Sequence, residues 1–256
     1  MFSLLVSLHY YHFIKHHNFA SIQSLNLFLT MATTFEWPPL ESNPEVFTKY
    51  LHDLGMSNKW GIGEVYGFDE DLLAFIPAPV LGVILNVEIL KRAEDKARGS
   101  EDTNVEYYMK QSGTLDNACG IIACLHATLN NLDAIDLNAD SILHSFHSNT
   151  KDLSPEERAA FLENDNAFKT QHVAAAGEGQ SGMSETQDDV KHHFIAYTIN
   201  SQKQLVEYDG TKKGPYVVAE NCEDVLRGSI AEVQRKLAEG EISESLSMMT
   251  LNSTSS

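Results

Sequence analysis

Cysteine is scarce in this chain of 256 residues: only Cys119, Cys124 and Cys222 are present. An odd number with no CxxC pair argues against a disulfide framework and the usual zinc-site spacings. It suits a reducing compartment, the cytoplasm, with the nucleus also open. Basic residues are few as well, 18 Lys and Arg against 36 acids, for a net charge of −18. Phosphate binding needs a basic patch, so nucleic acid is not an expected partner. A basic partner is drawn by the same field. No run of about 20 apolar residues occurs, so no membrane span is expected.

Acids are missing altogether from residues 1–30, where Lys15 is the one base. The apolar run "FSLLVSL" is too short for a signal peptide, and it lacks a basic start. The absence of arginine fits poorly with a mitochondrial presequence. His12 and His16 stand four apart, a spacing that suits a metal on a helix. The plainer expectation is a poorly ordered extension with no ligand role, and no metal or other cofactor is expected anywhere in the chain. Met31 opens "MATTFEW", which resembles a more ordinary protein start. Residues 31–256, in a chain that is 43% hydrophobic, have the length for one domain with an ample core.

Local signals divide that domain. Asn43-Pro44-Glu45 predicts a helix start, with Val46, Phe47, Tyr50, Leu51 and Leu54 as apolar stripe and Gly55 as stop. "DEDLLAF" (69–75) predicts a short helix, and "PVLGVILNVEI" a strand buried on both faces. "KRAEDKARGSED" (91–102) reads as a helix end and loop, and "VEYYM" (105–109) as a short strand. Helices are expected after Cys119 and around Ala139–Phe146. Another starts at Ser154-Pro155, where Glu157 completes a capping-box pattern. Residues 171–190 hold no aromatic residue and are rich in Gly, Ser, Ala and Gln. They predict a functional or disordered loop. "HHFIAYTI" and "QLVEYDG" are two strands with a short link. Glu223–Glu239 is an amphipathic helix stopped by Gly240, and "LSMMTL" (246–251) a last strand.

Cys119 sits where a polar, turn-like stretch gives way to an apolar one. Ala118, Ile121, Ile122, Leu125, Leu129 and Leu132 recur at helical spacing, and Asp116 or Asn117 can cap the start. Cys119 then falls in the first turn, where the macrodipole and unpaired N–H groups favour a thiolate and can bind an oxyanion. Position alone also fits a buried structural cysteine. Cys124 reads as core, and Cys222 receives no role.

A thiolate nucleophile needs a base, and the base an orienting group. His193 heads one strand and Asp209 ends the next. If Asn200 pairs with Gln204 across a three-residue loop, Asp209 lies opposite Ile195 and shares a face with His193 as diagonal neighbour. A two-residue loop puts them on opposite faces. His192 points away from His193 in any regular pairing. A surface histidine and a turn aspartate are the other reading of these two residues.

With "MKQ…DNACG", "SPEERAAFLEN", "HHFIAYTI", "LVEYDGTKKGP" and "EWPPLESNPEVFTKYLHDLG…VYGFDEDLLAFIPAPV" in view, the chain resembles the ubiquitin carboxyl-terminal hydrolase family of short, single-domain type, from Phe35 to Leu251. The resemblance implies an α/β (α+β) fold with helices on both faces of a mainly antiparallel, six- to seven-stranded sheet, papain-like and with a knotted backbone. It implies a thiol-dependent deubiquitinase with ubiquitin as partner, and the chain is expected to be a monomer. NEDD8 is the rival modifier, and an inactive ubiquitin-binding module the rival class. It implies roles: Cys119 as nucleophile, His193 as base and acid, Asp209 orienting His193, Gln111 as oxyanion donor, and Leu40, Glu41 and Glu64 touching ubiquitin. Residues 171–190 match the family's crossover loop. The chain departs from the family in residues 1–30 and in the spacing of Gln111 and Cys119, where Ser112-Gly113 looks like an insertion. Gly113 is expected to let the extra pair loop out, keeping Gln111 near Cys119.

Overall fold

The computed structural model describes residues 35–90, 100–102, 104–179 and 192–254. The amino-terminal extension with His12 and His16, most of the charged stretch after Leu90, and residues 180–190 of the expected crossover loop lie outside the described residues. In chain order the elements are α1 Pro44–Leu54, β1 Trp60–Glu64, α2 Glu70–Leu73, β2 Val80–Ile89, β3 Ser100–Glu101, α3 Cys119–Leu129, α4 Ile142–Thr150, α5 Pro155–Asn164, α6 Asn166–Ala176, β4 His192–Ile199, β5 Leu205–Tyr208, β6 Tyr216–Ala219, α7 Val225–Ala238 and β7 Ile242–Ser253.

The punctuation residues act as their chemistry predicts. Asn43 accepts from the N–H groups of Glu45 and Val46, and Gly55 ends α1 in the left-handed region at φ 115°. Ser154 and Glu157 close a capping box at the start of α5. Asp224 caps α7 on Arg227 N, and Gly240 follows at φ 64°.

The strands form one sheet in the order β1-β7-β2-β4-β5-β6-β3. Every pair among the described strands is antiparallel. Strand β2 lies inside the sheet, between β7 and β4, and its successive side chains take opposite faces. Val83, Leu85 and Val87 join Val225, Leu226, Ile230 and Val233 of α7 in one core. At Gly82 an added Cβ would meet Ala127 of α3 at 3.2 Å. Helices α7 and α3 therefore cover opposite faces, as expected. Glu36–Ser256 cluster as one compact unit.

Several expectations need correction. Val105–Met109 is not a strand, although Tyr107, Tyr108 and Met109 are buried. Side chains serve its backbone instead. Asn130 Oδ1 accepts from Tyr107 N at 3.0 Å, His126 Nε2 accepts from Met109 N at 3.0 Å, and Arg158 donates to Tyr108 O at 2.7 Å. The helix expected around Ala139–Phe146 is α4, which starts later because Ser141 is its cap. Residues 171–176 belong to α6 rather than to a loop. Asp165 caps that helix, and Phe168, His172 and Ala175 bury its inner side. His172 Nε2 donates to Pro38 O at 2.7 Å, and its Nδ1 accepts from Tyr50 Oη at 3.2 Å.

Candidate active site

Cys119 is the first residue of α3, as its place at the seam predicts. Neither Asp116 nor Asn117 caps the helix. Ala118 occupies the cap position at φ −85°, ψ 7° and makes no side-chain cap bond. The chain enters through tight turns, with Leu115 N bonded to Ser112 O and Ala118 N to Leu115 O. The helix thus begins without the extended residue that a side-chain cap requires. Its first-turn N–H groups are left for another acceptor beside the thiol. The helix is also more deeply set than one apolar stripe suggests. Gly120 through Leu129 are all buried, and Leu132 lies beyond its end. Gly120 sits in tight packing, where a Cβ would meet Phe47 at 3.1 Å and Leu40 at 3.4 Å.

The hairpin of β4 and β5 has the three-residue loop. Asn200 N bonds Gln204 O at 3.0 Å, and Ala196 pairs with Tyr208. That register sets Asp209 opposite Ile195, diagonal to His193. Their side chains meet, with His193 Nε2 2.8 Å from Asp209 Oδ1. His192 turns elsewhere, to Ser245 Oγ at 2.9 Å. Since Asp209 occupies Nε2, Nδ1 is the ring nitrogen left for Cys119.

The electrostatics follow from burial and charge. Burial alone would lower the pKa of His193. The hydrogen bond and charge of Asp209, joined by those of Cys119, outweigh it and raise the imidazolium to about 10. Asp209 is buried, which favours its neutral form. His193, Lys212 and Thr211 nonetheless hold its carboxyl well below the usual carboxylate range. The site therefore favours a charged imidazole beside Cys119.

Gln111 is anchored by its backbone, with N bonded to Gly210 O at 2.8 Å. This ties it to the residue after Asp209. Gly113 takes the positive φ expected of it, 65°, in a bulge that opens into a turn with Thr114. Glu163 of α5 pins the bulge by accepting from Thr114 N at 2.6 Å. The Gln111 amide donates to Asp116 O at 2.7 Å, and its Oε1 is buried with no hydrogen-bond partner. Serving an oxyanion means exchanging the bond to Asp116. Leu40 is only 7% exposed. Glu41 and Glu64 are half-buried, and burial pushes the carboxyl of Glu64 up. Among the described residues no cluster of His, Cys, Asp or Glu suits a metal ion.

Sequence reasoning missed what lies behind Asp209. Glu207, 2% exposed, meets Lys212 at 2.5 Å, Lys236 at 2.7 Å and Tyr197 Oη at 2.9 Å. The one available signal was an acid alternating with apolar residues inside a strand.

Residues 37–239 match the family model described as ubiquitin carboxyl-terminal hydrolase, family 1. The chain belongs to this family. The ubiquitin carboxyl-terminal hydrolase of Aplysia californica is 37% identical over 209 residues, covering 80% of this chain and 96% of that protein. That of Drosophila melanogaster is 39% identical over 206 residues, covering 77% and 88%. The horse (Equus caballus) isozyme L1 is 35% identical over 213 residues, covering 80% and 93%. Among solved structures, the Trichinella spiralis UCH37 catalytic domain bound to ubiquitin vinyl methyl ester superposes with a TM-score of 0.68 at 22% identity, covering 88% of this chain and 99% of that one. This hydrolase thus shares the papain-like fold that its sequence implies.

Proposed function

We propose that this chain is a thiol hydrolase that cleaves the bond after the C-terminal glycine of ubiquitin and releases small adducts or short extensions. The observation that carries the reading is the 2.8 Å contact of His193 with Asp209, with Cys119 at the open first turn of a buried helix interacting with the same imidazole. Family membership supports the substrate, and so does the ubiquitin derivative named in the Trichinella structure. The charge of −18 suits a basic partner.

Cys119 attacks the glycine carbonyl as a thiolate, with its proton held on His193. The tetrahedral oxyanion is met by the Cys119 N–H and by Gln111, once its amide leaves Asp116. Collapse breaks the bond to the leaving amine, which takes the proton from His193 Nδ1. A water molecule then gives a proton to His193, attacks the thioester and frees ubiquitin and the thiol. Asp209 keeps the ring oriented throughout. Leu40, Glu41 and Glu64 contribute to holding ubiquitin, and residues 31–256 act as one domain. The three free thiols suit a reducing, cytoplasmic setting.

The test is covalent capture by ubiquitin bearing a C-terminal electrophile, with hydrolysis of paired ubiquitin and NEDD8 fluorogenic substrates. Wild type is captured at Cys119 and turns over the ubiquitin substrate, while Cys119→Ser does neither and still binds ubiquitin. Binding without capture by the wild type would make the chain a ubiquitin-binding module.

A further inference from the structure

The turn that follows β5 carries Asp209, and it is held from two sides by groups that do not touch the reacting atoms. On one side stands Tyr108, 3% exposed. Its hydroxyl is 2.9 Å from Asp209 O and 2.8 Å from Lys212 O, so one proton is shared between the two ends of the turn. Burial raises the phenol's pKa far above its usual value, which keeps that proton in place. On the other side, Lys212 Nζ reaches the buried carboxylate of Glu207. The turn itself is closed by Lys212 N bonding Asp209 O at 3.0 Å, and Lys110 Nζ also donates to Lys212 O.

Tyr108 is fixed in its turn by the helix that carries the nucleophile. Its ring stacks on His126 of α3 with centroids 5.1 Å apart and planes 10° from parallel. His126 Nε2 accepts from Met109 N, and the Tyr208 ring packs against the imidazole with centroids 5.4 Å apart. Gln111 lies three residues after Tyr108 and bonds Gly210, inside the same turn. One short segment therefore connects the Cys119 helix, the Gln111 amide and the Asp209 carbonyl.

We propose that Tyr108 is a positioning residue for the hydrolysis, its hydroxyl clamping the Asp209–Lys212 turn so that the carboxylate stays in line with His193. The proposal rests on the reading of the Cys119, His193 and Asp209 site given above. The carboxylate has one strong contact with the ring, and a swing of the turn by a fraction of an ångström lengthens it. Hydrogen bonds to charged groups lose strength steeply with geometry.

The experiment compares Tyr108→Phe with Tyr107→Phe. Both remove one buried hydroxyl, but Tyr107 Oη meets Thr150 Oγ1 at 3.1 Å, away from the turn. Two readouts are taken: kcat and KM on a ubiquitin fluorogenic substrate, and the titration of His193 followed by NMR in the substrate-free protein. Loss of one neutral hydrogen bond predicts a kcat about three- to tenfold lower for Tyr108→Phe, with KM unchanged. The same change lowers the His193 midpoint by about half a unit to one unit. Tyr107→Phe lowers the melting temperature and moves neither. Lys212→Arg, which keeps the charge beside Asp209 but changes its reach to Glu207 at the opposite end of the turn, also lowers kcat with KM unchanged and keeps the proposal testable if Tyr108→Phe folds poorly. Unchanged kcat and midpoint in Tyr108→Phe, or equal losses in both tyrosine variants, would overturn the proposal. An inactive wild type with a normal His193 shift in Tyr108→Phe would instead count against ubiquitin as substrate and leave the clamp standing.

Discussion

Replacing Asp209 by Asn separates the charge of the orienting group from its hydrogen bonds. Three donors converge on Asp209 Oδ1: His193 Nε2 at 2.8 Å, Thr211 N at 3.0 Å and Thr211 Oγ1 at 2.7 Å. An asparagine carbonyl can accept all three. The backbone N–H of Thr211 cannot rotate away, so an inverted amide would face a donor with a donor. In a serine triad, where the exchange leads to the wrong imidazole tautomer, the same substitution costs about 10⁴ in kcat. Here the tautomer is kept, and the loss is that of the charge alone. A hydrogen bond to a charged group is worth about 1.5–3 kcal/mol and a neutral one about 0.5–1.5 kcal/mol. The difference, about 1–1.5 kcal/mol, corresponds to roughly one pKa unit. The His193 imidazolium, raised to about 10 in the native site, should therefore titrate about one unit lower. The alkaline limb of kcat/KM on a ubiquitin fluorogenic substrate should move with it, and the plateau should fall about five- to tenfold. Asp209→Ala removes the acceptor altogether and should cost about 10² or more. An asparagine variant as slow as the alanine variant, or an unmoved alkaline limb, would refute the reasoning.

The raised pKa of His193 also acts on stability. Its contribution is fully present below the ordinary value of 6.5 and is lost as pH rises toward about 10. The melting temperature of the wild type should fall across that window relative to His193→Gln, and parallel curves would sink the idea. His193→Ala should abolish turnover, while His192→Ala, directed at Ser245, should leave kcat within about twofold; equal losses would mean the register is misread. Gly113→Ala should lower stability by about 1–2 kcal/mol in chemical denaturation, from the left-handed backbone alone. The added Cβ would also meet Glu163 Oε1 at 2.0 Å, and an unchanged midpoint would show that the bulge relaxes freely.

What the sequence disclosed depended on whether a feature is local. Asn43-Pro44, Ser154 with Glu157, and Gly55 act within one turn of chain, and each is found in its expected role. The hairpin register follows from period-2 alternation and one loop length, so the meeting of His193 and Asp209 was legible too. The segment Val105–Met109 was not, because its partners Asn130, His126 and Arg158 lie 17 to 50 residues away. Helix α6 was missed because residues 171–190 look polar by themselves. Phe168, which anchors it, stands just before them. The uncapped start of α3 was misread for a related reason. Asp116 and Asn117 have the right chemistry, but the turns from Ser112 to Ala118 bring the chain in at the wrong angle. Propensity does not encode that angle.

The loop from Ser201 to Lys203 is far from the thiol, yet it decides whether the hydrolase has a base. Asn200 fixes its length: Oδ1 accepts from Gln202 N and Gln204 N, each at 3.0 Å, while Nδ2 reaches Asp102 at 2.8 Å. Lys203 takes the left-handed region at φ 58° to close it. Surface loops ordinarily gain and lose residues with little penalty. Here a single deletion would shift the pairing by one and carry Asp209 to the far side of the sheet from His193. The stretch is thus an exposed turn without the usual freedom of one, and active descendants of this chain should vary its side chains far more readily than its length.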